Sequence, residues 1–172
     1  MKNYVLKGNI CYSRSKDELC IVENGYVVCE NGRSAGVYAV LPEVYAPFSC
    51  FNYEDRMIIP GLVDLHVHAP QYPFRGLGMD LELIDWLNTH TFVEEARYAD
   101  LEYAGRAYEI FTEDLRNSET TRACIFGTIH SSATLLLMEK LEAAGLKAYV
   151  GRVNMDRNSP GYLCEESARK SA

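Results

Sequence analysis

The run over residues 57–72 constrains this chain more than any other stretch. It contains Pro60-Gly61-Leu62-Val63-Asp64-Leu65-His66-Val67-His68-Ala69-Pro70-Gln71-Tyr72. Residues 57–65 are short, apolar and interrupted by Pro-Gly, which predicts a strand of the fully buried kind. Side chains alternate across a strand, so His66 and His68 share one face with Asp64. Two imidazoles at that spacing, where a strand ends, suit a metal ion such as zinc, which takes neutral imidazole nitrogen at roughly 2.0–2.1 Å. A lone histidine on an apolar strand is ordinarily a core residue bonded to backbone. Two at i and i+2, with a carboxylate in register, point instead to metal ligation.

The segments around this run divide the chain. Residues 1–59 read as all-β, with strands over 4–11, 20–22, 26–29 and 37–41. Asn24-Gly25 and Asn31-Gly32 fall between them, and Asn-Gly is the strongest short hairpin signal. Pro42, Pro47 and the stretch over residues 43–49 read as a loop. Residues 60–172 follow a different pattern, in which strand and helix alternate. Asp80 is placed to cap a helix carrying Leu83, Ile84, Trp86 and Leu87. Leu101, Ala104, Tyr108, Phe111 and Leu115 recur at spacings of three and four, which predicts a helix over 100–117. A strand is expected over 121–127, and then a helix capped by Ser131 or Ser132 and ended by Gly145. Another strand covers 147–153, residues 154–160 form a polar loop, and a further helix begins near Glu165. Such alternation implies parallel strands joined by crossover helices. The histidines then stand at the carboxyl end of the first parallel strand, where α/β sheets and barrels place their sites.

Charge and composition remove other classes. The net charge is -7 and the pI about 5.1, so there is no basic footprint for nucleic acid. No apolar run reaches membrane-spanning length, and the amino terminus lacks the apolar core of a signal peptide. A cytoplasmic protein is therefore expected. The six cysteines form no C-x-x-C pair and read as reduced core thiols.

The Pro60–His68 residues resemble the first metal motif of the amidohydrolase superfamily. His66-Val67-His68-Ala69-Pro70-Gln71-Tyr72, Asp85-Trp86-Leu87, Thr128-Ile129-His130 and Asn154-Met155-Asp156-Arg157-Asn158 are similar to its guanine deaminase branch. The resemblance implies a metal-dependent (β/α)8 barrel of the TIM type with a small β-sandwich. Residues 1–59 would belong to the sandwich and residues 60–172 to the first βα units of the barrel. It implies zinc, with iron as the other candidate, held by His66 and His68. It also implies guanine as a small-molecule substrate, hydrolysed to xanthine and ammonia in purine catabolism, and a homo-oligomer for the full-length protein. His-x-Glu with Pro-Cys-x-x-Cys, the signature of another zinc deaminase fold, is absent.

Further roles follow from the resemblance. Gln71 becomes a substrate contact, because its amide offers donor and acceptor together; without the family it reads as an exposed loop residue. Trp86 either walls a flat ligand or packs in the core. His130 either reaches the site or serves a helix terminus. Asp64 orients a histidine or packs inside the barrel, Arg75 meets a carbonyl or a neighbouring loop, and His90 reads as a surface residue. A closed barrel needs roughly 250 residues. Fewer than half that number follow Pro60, space for about three strands of eight. The chain therefore reads as the amino-terminal portion of such an enzyme, without the later ligands and the proton-shuttling glutamate, and inactive alone. An unclosed barrel leaves parallel edges and apolar faces open. The competing readings are another amidohydrolase, acting on an aminated heterocycle or cyclic amide, and a non-catalytic remnant or complementing subunit.

Overall fold

The computed structural model describes residues 2–171 of the chain. It divides into two compact units, Met1–Pro60 and Gly61–Ala172.

The first unit is a four-stranded sheet in the order β3-β2-β1-β4. Its strands are β1 (Tyr4–Ser15), β2 (Glu18–Glu30), β3 (Arg33–Tyr38) and β4 (Ser49–Ile58). Only one of the two Asn-Gly pairs makes a hairpin. Asn31 and Gly32 take φ of 53° and 76° between β2 and β3, the left-handed pair a two-residue turn needs. Asn24-Gly25 lies inside β2, where the pairing with β1 shifts register. The Asn24 amide is satisfied there by the side chain of Asn9, so Asn24's φ of 48° belongs to a bulge. β1 instead turns into β2 at Lys16-Asp17, and β4 pairs parallel with β1. Met57 and Ile58 belong to β4, so the expected 57–65 strand is two strands separated at Ile59–Gly61. Proline supplies no N–H for a ladder there.

The second unit is mixed α/β. β5 (Leu62–His68), β6 (Thr120–Phe126) and β7 (Lys147–Gly151) form a sheet in chain order, and both pairings are parallel. α3 (Leu101–Arg116) crosses from β5 to β6, and α4 (Ser131–Ala143) crosses from β6 to β7. Asp100 caps α3, its side chain accepting from the N–H groups of Glu102 and Tyr103. α4 lacks the expected serine cap. His130 holds the N-cap position with no side-chain bond, and Thr134 Oγ1 donates instead to the His130 carbonyl at 3.2 Å. Gly145, with φ of 75°, follows the end of α4 as anticipated.

Between β5 and α3 the backbone is less regular. A 3-10 segment, Ala69–Phe74, leads to α1 (Leu83–Trp86), which starts from Glu82 rather than Asp80. A π-helical turn, Leu87–Thr91, joins α1 to α2 (Phe92–Ala96).

The core lies on one side of this sheet. Ala123 and Ile125 of β6 pack with Ala104, Tyr108 and Phe111 of α3 and with Ala133, Leu137 and Leu141 of α4. β6 is central, whereas β5 is an edge. Leu62, Val63 and Leu65 are accordingly 52%, 53% and 76% exposed, against the expectation of a strand buried on both faces. All six cysteines are free. Among the described residues no helix is long and apolar enough to cross a membrane.

Leu137 is fully buried, while Leu135, two residues away on α4, is largely exposed. Leu137→Ala is expected to cost about 2–5 kcal/mol, and Leu135→Ala about 0.5 kcal/mol or less. Urea unfolding of the two variants measures both; equal losses would contradict this packing.

Candidate functional site

Asp64, His66 and His68 meet the end of β5 at a bulge. The β5–β6 register runs Asp64↔Ala123 and then Val67↔Ile125, which leaves one extra residue on β5. The Asp64 carboxylate accepts from the His66 backbone N–H at 3.0 Å, within the stretch that the bulge takes out of register. Asp64 therefore secures the backbone under His66, and its recorded bond is to that amide rather than to an imidazole. Bulges re-aim side chains, and here the two rings converge. His66 Nε2 and His68 Nε2 are 3.1 Å apart, with ring centroids 5.1 Å apart. Phe126, which pairs with His68 across the sheet, stacks on the His68 ring at 4.6 Å and 11° and lies 4.8 Å from the His66 ring. Burial, with the neighbouring His66, holds the His68 pKa below the usual imidazole value. The ring is thus kept neutral, the form that offers a lone pair. Among the described residues no group of three or more His, Cys, Asp or Glu side chains gathers to hold a metal ion.

His66, His68, Gln71 and Trp86 line one cleft of 290 Å³, which Leu77 and Met79 also border. Trp86 serves as both wall and packing residue. Its Nε1–H donates to the Leu77 carbonyl at 3.1 Å, and its ring lies 5.7 Å from that of Phe74. Gly78, with φ of +66°, passes so close that a Cβ would stand 2.9 Å from the indole. His90 is not a free surface residue. It is half-buried, bonded at Nδ1 to Thr89 Oγ1 at 2.8 Å, and packed 6.0 Å from the Phe74 ring. Arg75 clamps its neighbour. It lies 3.9 Å over the Tyr72 ring, donates to the Tyr72 carbonyl, and stands 3.7 Å from Asp114. Tyr72 O–H donates to Asp114 at 2.6 Å, and this bond raises the phenol's pKa.

His130 is not among the residues lining the cleft. Its backbone N–H donates to Thr128 Oγ1 at 3.0 Å. Its Nε2 is buried without a partner. Burial lowers its pKa, and the Glu95 backbone works the other way.

Glu95 itself was missed from sequence. It lies on α2 and is only 4% exposed. Burial pushes this carboxyl up to about 7, and the Gln71 side chain works the other way. The adjacent Glu94 is engaged differently, accepting from Tyr103 O–H and from Arg97. Two successive glutamates ordinarily read as a solvated helix face. The inserted π turn, invisible in hydrophobic periodicity, sets where α2 points them.

The raised carboxyl pKa carries a sign. Below about pH 4.5, the free glutamate value, Glu95 is neutral whether the chain is folded or unfolded, and its burial costs nothing extra. As pH rises toward 7 the unfolded chain ionises and the folded one resists, so stability falls. Glu95→Gln cannot ionise. It is expected to gain stability relative to the parent chain as pH rises from about 4.5 to 7 and to gain no more above that. Urea unfolding against pH measures this, and parallel curves would refute it.

Residues 57–172 match the amidohydrolase family. Guanine deaminase of Rattus norvegicus is 44% identical over 120 residues, which is 67% of this chain and 26% of that protein. Guanine deaminase of Escherichia coli (strain K12) is 40% identical over 114 residues, 66% of this chain and 26% of that protein. The chain thus spans about a quarter of the length of these curated relatives. The crystal structure of guanine deaminase from C. acetobutylicum with bound guanine in the active site superposes with a TM-score of 0.89 and 40% identity, over 98% of this chain and 40% of that one. A match over two thirds of its residues, on a mixed α/β fold with its histidine pair at a strand end, makes this chain a member of the amidohydrolase family.

Proposed function

We propose that this chain supplies the zinc-binding histidine pair and one wall of the substrate cleft of a guanine deaminase. The observation that carries the reading is the convergence of His66 and His68 on one cleft with Gln71 and Trp86, in a chain 40–44% identical to guanine deaminases over the matched region. On this reading β5, β6 and β7 are the first three strands of a (β/α)8 barrel, and Met1–Pro60 is part of a small β-sandwich. The exposed apolar side chains of β5 suit a strand that acquires a further neighbour.

The residues present fit a metal. Two nitrogens bound to one tetrahedral zinc at about 2.05 Å stand about 3.3 Å apart, close to the 3.1 Å separating the two Nε2 atoms. Imidazole ligation favours zinc or iron over magnesium, and zinc is the ion proposed. When bound, it would supply a water acidic enough to attack near neutral pH. The chain's own residues provide the rest of this wall. His66 and His68 present their ring nitrogens, with Phe126 stacked on the His68 ring and tilted by 39° against that of His66. Gln71 offers its amide to the mixed donor and acceptor edge of a purine. Trp86, braced by Phe74, walls a flat ring and excludes solvent. His130 stands outside the lining of this cleft.

Water adds to C2 of guanine and ammonia departs, leaving xanthine. The departing nitrogen requires a proton, and no carboxylate lines this cleft. Two protein ligands are also fewer than catalytic zinc sites usually have. Residues 1–172 alone are therefore expected to bind zinc weakly and to release no xanthine. Joined to the remaining sequence of the C. acetobutylicum guanine deaminase, they are expected to turn guanine over. His66→Ala with His68→Ala is expected to abolish both turnover and the zinc measured by elemental analysis. Turnover of adenine or cytosine but not guanine by the fusion would overturn the substrate; zinc retained without both histidines would overturn the site.

A further inference from the structure

We propose that Asp114, a residue of α3 outside the cleft, is a positioning residue: it pins Tyr72 and Arg75 and through them spaces the Gln71 and Trp86 walls for a flat heterocycle. The proposal rests on the reading of Gln71 and Trp86 as substrate contacts. It begins from a cluster that no step above uses. Tyr72 O–H donates to Asp114 Oδ2 at 2.6 Å, and Arg75 Nη2 stands 3.7 Å from the same oxygen. The guanidinium also lies 3.9 Å over the Tyr72 ring. Phe111, three residues before Asp114 on α3, meets that ring edge-on at 5.3 Å. Arg75 closes the turn as well, its backbone N–H and its Nη1–H both donating to the Tyr72 carbonyl, at 3.3 and 2.9 Å. Tyr72 and Arg75 line the cleft and Asp114 does not.

The order of these contacts gives the cluster its use. Gln71 and Tyr72 are consecutive, so fixing the phenol fixes the backbone from which the glutamine projects. The turn that Arg75 closes brackets Phe74, which is buried and whose ring lies 5.7 Å from that of Trp86. Beyond the turn, Leu77 N–H donates to the Phe74 carbonyl at 3.0 Å, and the Leu77 carbonyl accepts from the indole N–H at 3.1 Å. One carboxylate thus reaches the glutamine wall in one direction along the chain and the indole wall in the other. Folding stability is a poor account of the cluster. The Arg75 and Asp114 side chains are 57% and 48% exposed, and an ion pair so placed contributes little. What the contacts fix is the place of the 3-10 segment Ala69–Phe74. α3 is a firm anchor for it, because Ala104, Tyr108 and Phe111 of that helix are buried against the sheet. Substrate contacts that must be held to within a fraction of an ångström need such support from outside the site.

The first test is made on guanine turnover by the fusion protein described above. Asp114→Ala is expected to raise KM about tenfold, the loss of one well-aligned hydrogen bond to substrate, with kcat changed less than about threefold. Tyr72→Phe removes the hydroxyl, keeps the ring against Phe111, and is expected to do the same. With Tyr72→Phe already present, Asp114→Ala is expected to raise KM no more than about twofold further, because it acts through that phenol. A residue serving only the fold would lower kcat by reducing the active fraction and leave KM alone. That result would overturn the proposal, as would a full second rise in KM. The second test needs no substrate. Trp86 is the one tryptophan of residues 1–172, so the emission of the unfused chain reports on the indole wall. Asp114→Ala and Tyr72→Phe are each expected to shift it to longer wavelength as water gains access. An emission unmoved by Tyr72→Phe would overturn the proposal even if Asp114→Ala failed to fold. If the emission shifts while the fusion turns over no guanine, the reading of the substrate fails and the positioning role of Asp114 is upheld.

Discussion

The parallel pairing of β5 with β6, and the single extra residue it accommodates, is the constraint on which the site depends. Without the slip between Asp64 and Val67, the ladder would hold His66 in register with β6. With the slip, the Asp64 carboxylate takes the His66 amide and the two imidazoles meet. The ring of Phe126 then limits their motion from the neighbouring strand. The site is thus made by strand geometry first and by side-chain chemistry second. That order suits metal ligation, in which ligand positions must be set before the ion arrives.

Behind the strand ends the chain uses irregular backbone to bring distant side chains together. The segment from Ala69 to Ala99 contains 3-10, α and π turns in succession. A regular helix from Leu83 onward would have had one uniform face. The π turn at Leu87–Thr91 resets that face: Trp86 before it lines the cleft, and Glu95, nine residues later, is buried outside the cleft lining. The positive-φ glycines at Gly76 and Gly78 let the intervening loop fold back against the indole. Such departures from regular structure concentrate where a site needs particular side chains rather than a continuous ladder.

This division explains what could be read from residues alone. The alternation of β5, α3, β6, α4 and β7 was legible because each element has a strong period, and Asp100 and Gly145 mark helix ends. That His66 and His68 belong together followed from the same two-residue repeat, whereas the slip in the ladder beside them did not. β4 was missed because its ten residues carry Asn, Glu, Asp and Arg and are almost wholly exposed, which erases any apolar alternation. The Asn24-Gly25 hairpin was wrong because Asn-Gly records a tolerance for positive φ, which a bulge uses as readily as a turn. Glu95 was illegible for a further reason. Nothing in a glutamate's neighbours along the chain announces that its carboxyl will be buried in the core.

Glu95 also shows how burial sets the pH dependence of this fold. A carboxyl whose pKa stands near 7 because it is buried weakens the fold wherever it is ionised. Replacing it by an isosteric amide removes that electrostatic cost. Tyr98 and Tyr108 are fully buried, their rings 4.9 Å apart, and burial raises both phenols above their ordinary value, with Glu95 adding to the shift. The same low dielectric thus disfavours every charge in this part of the core, and a more polar surround would relieve the carboxyl only by giving up apolar packing.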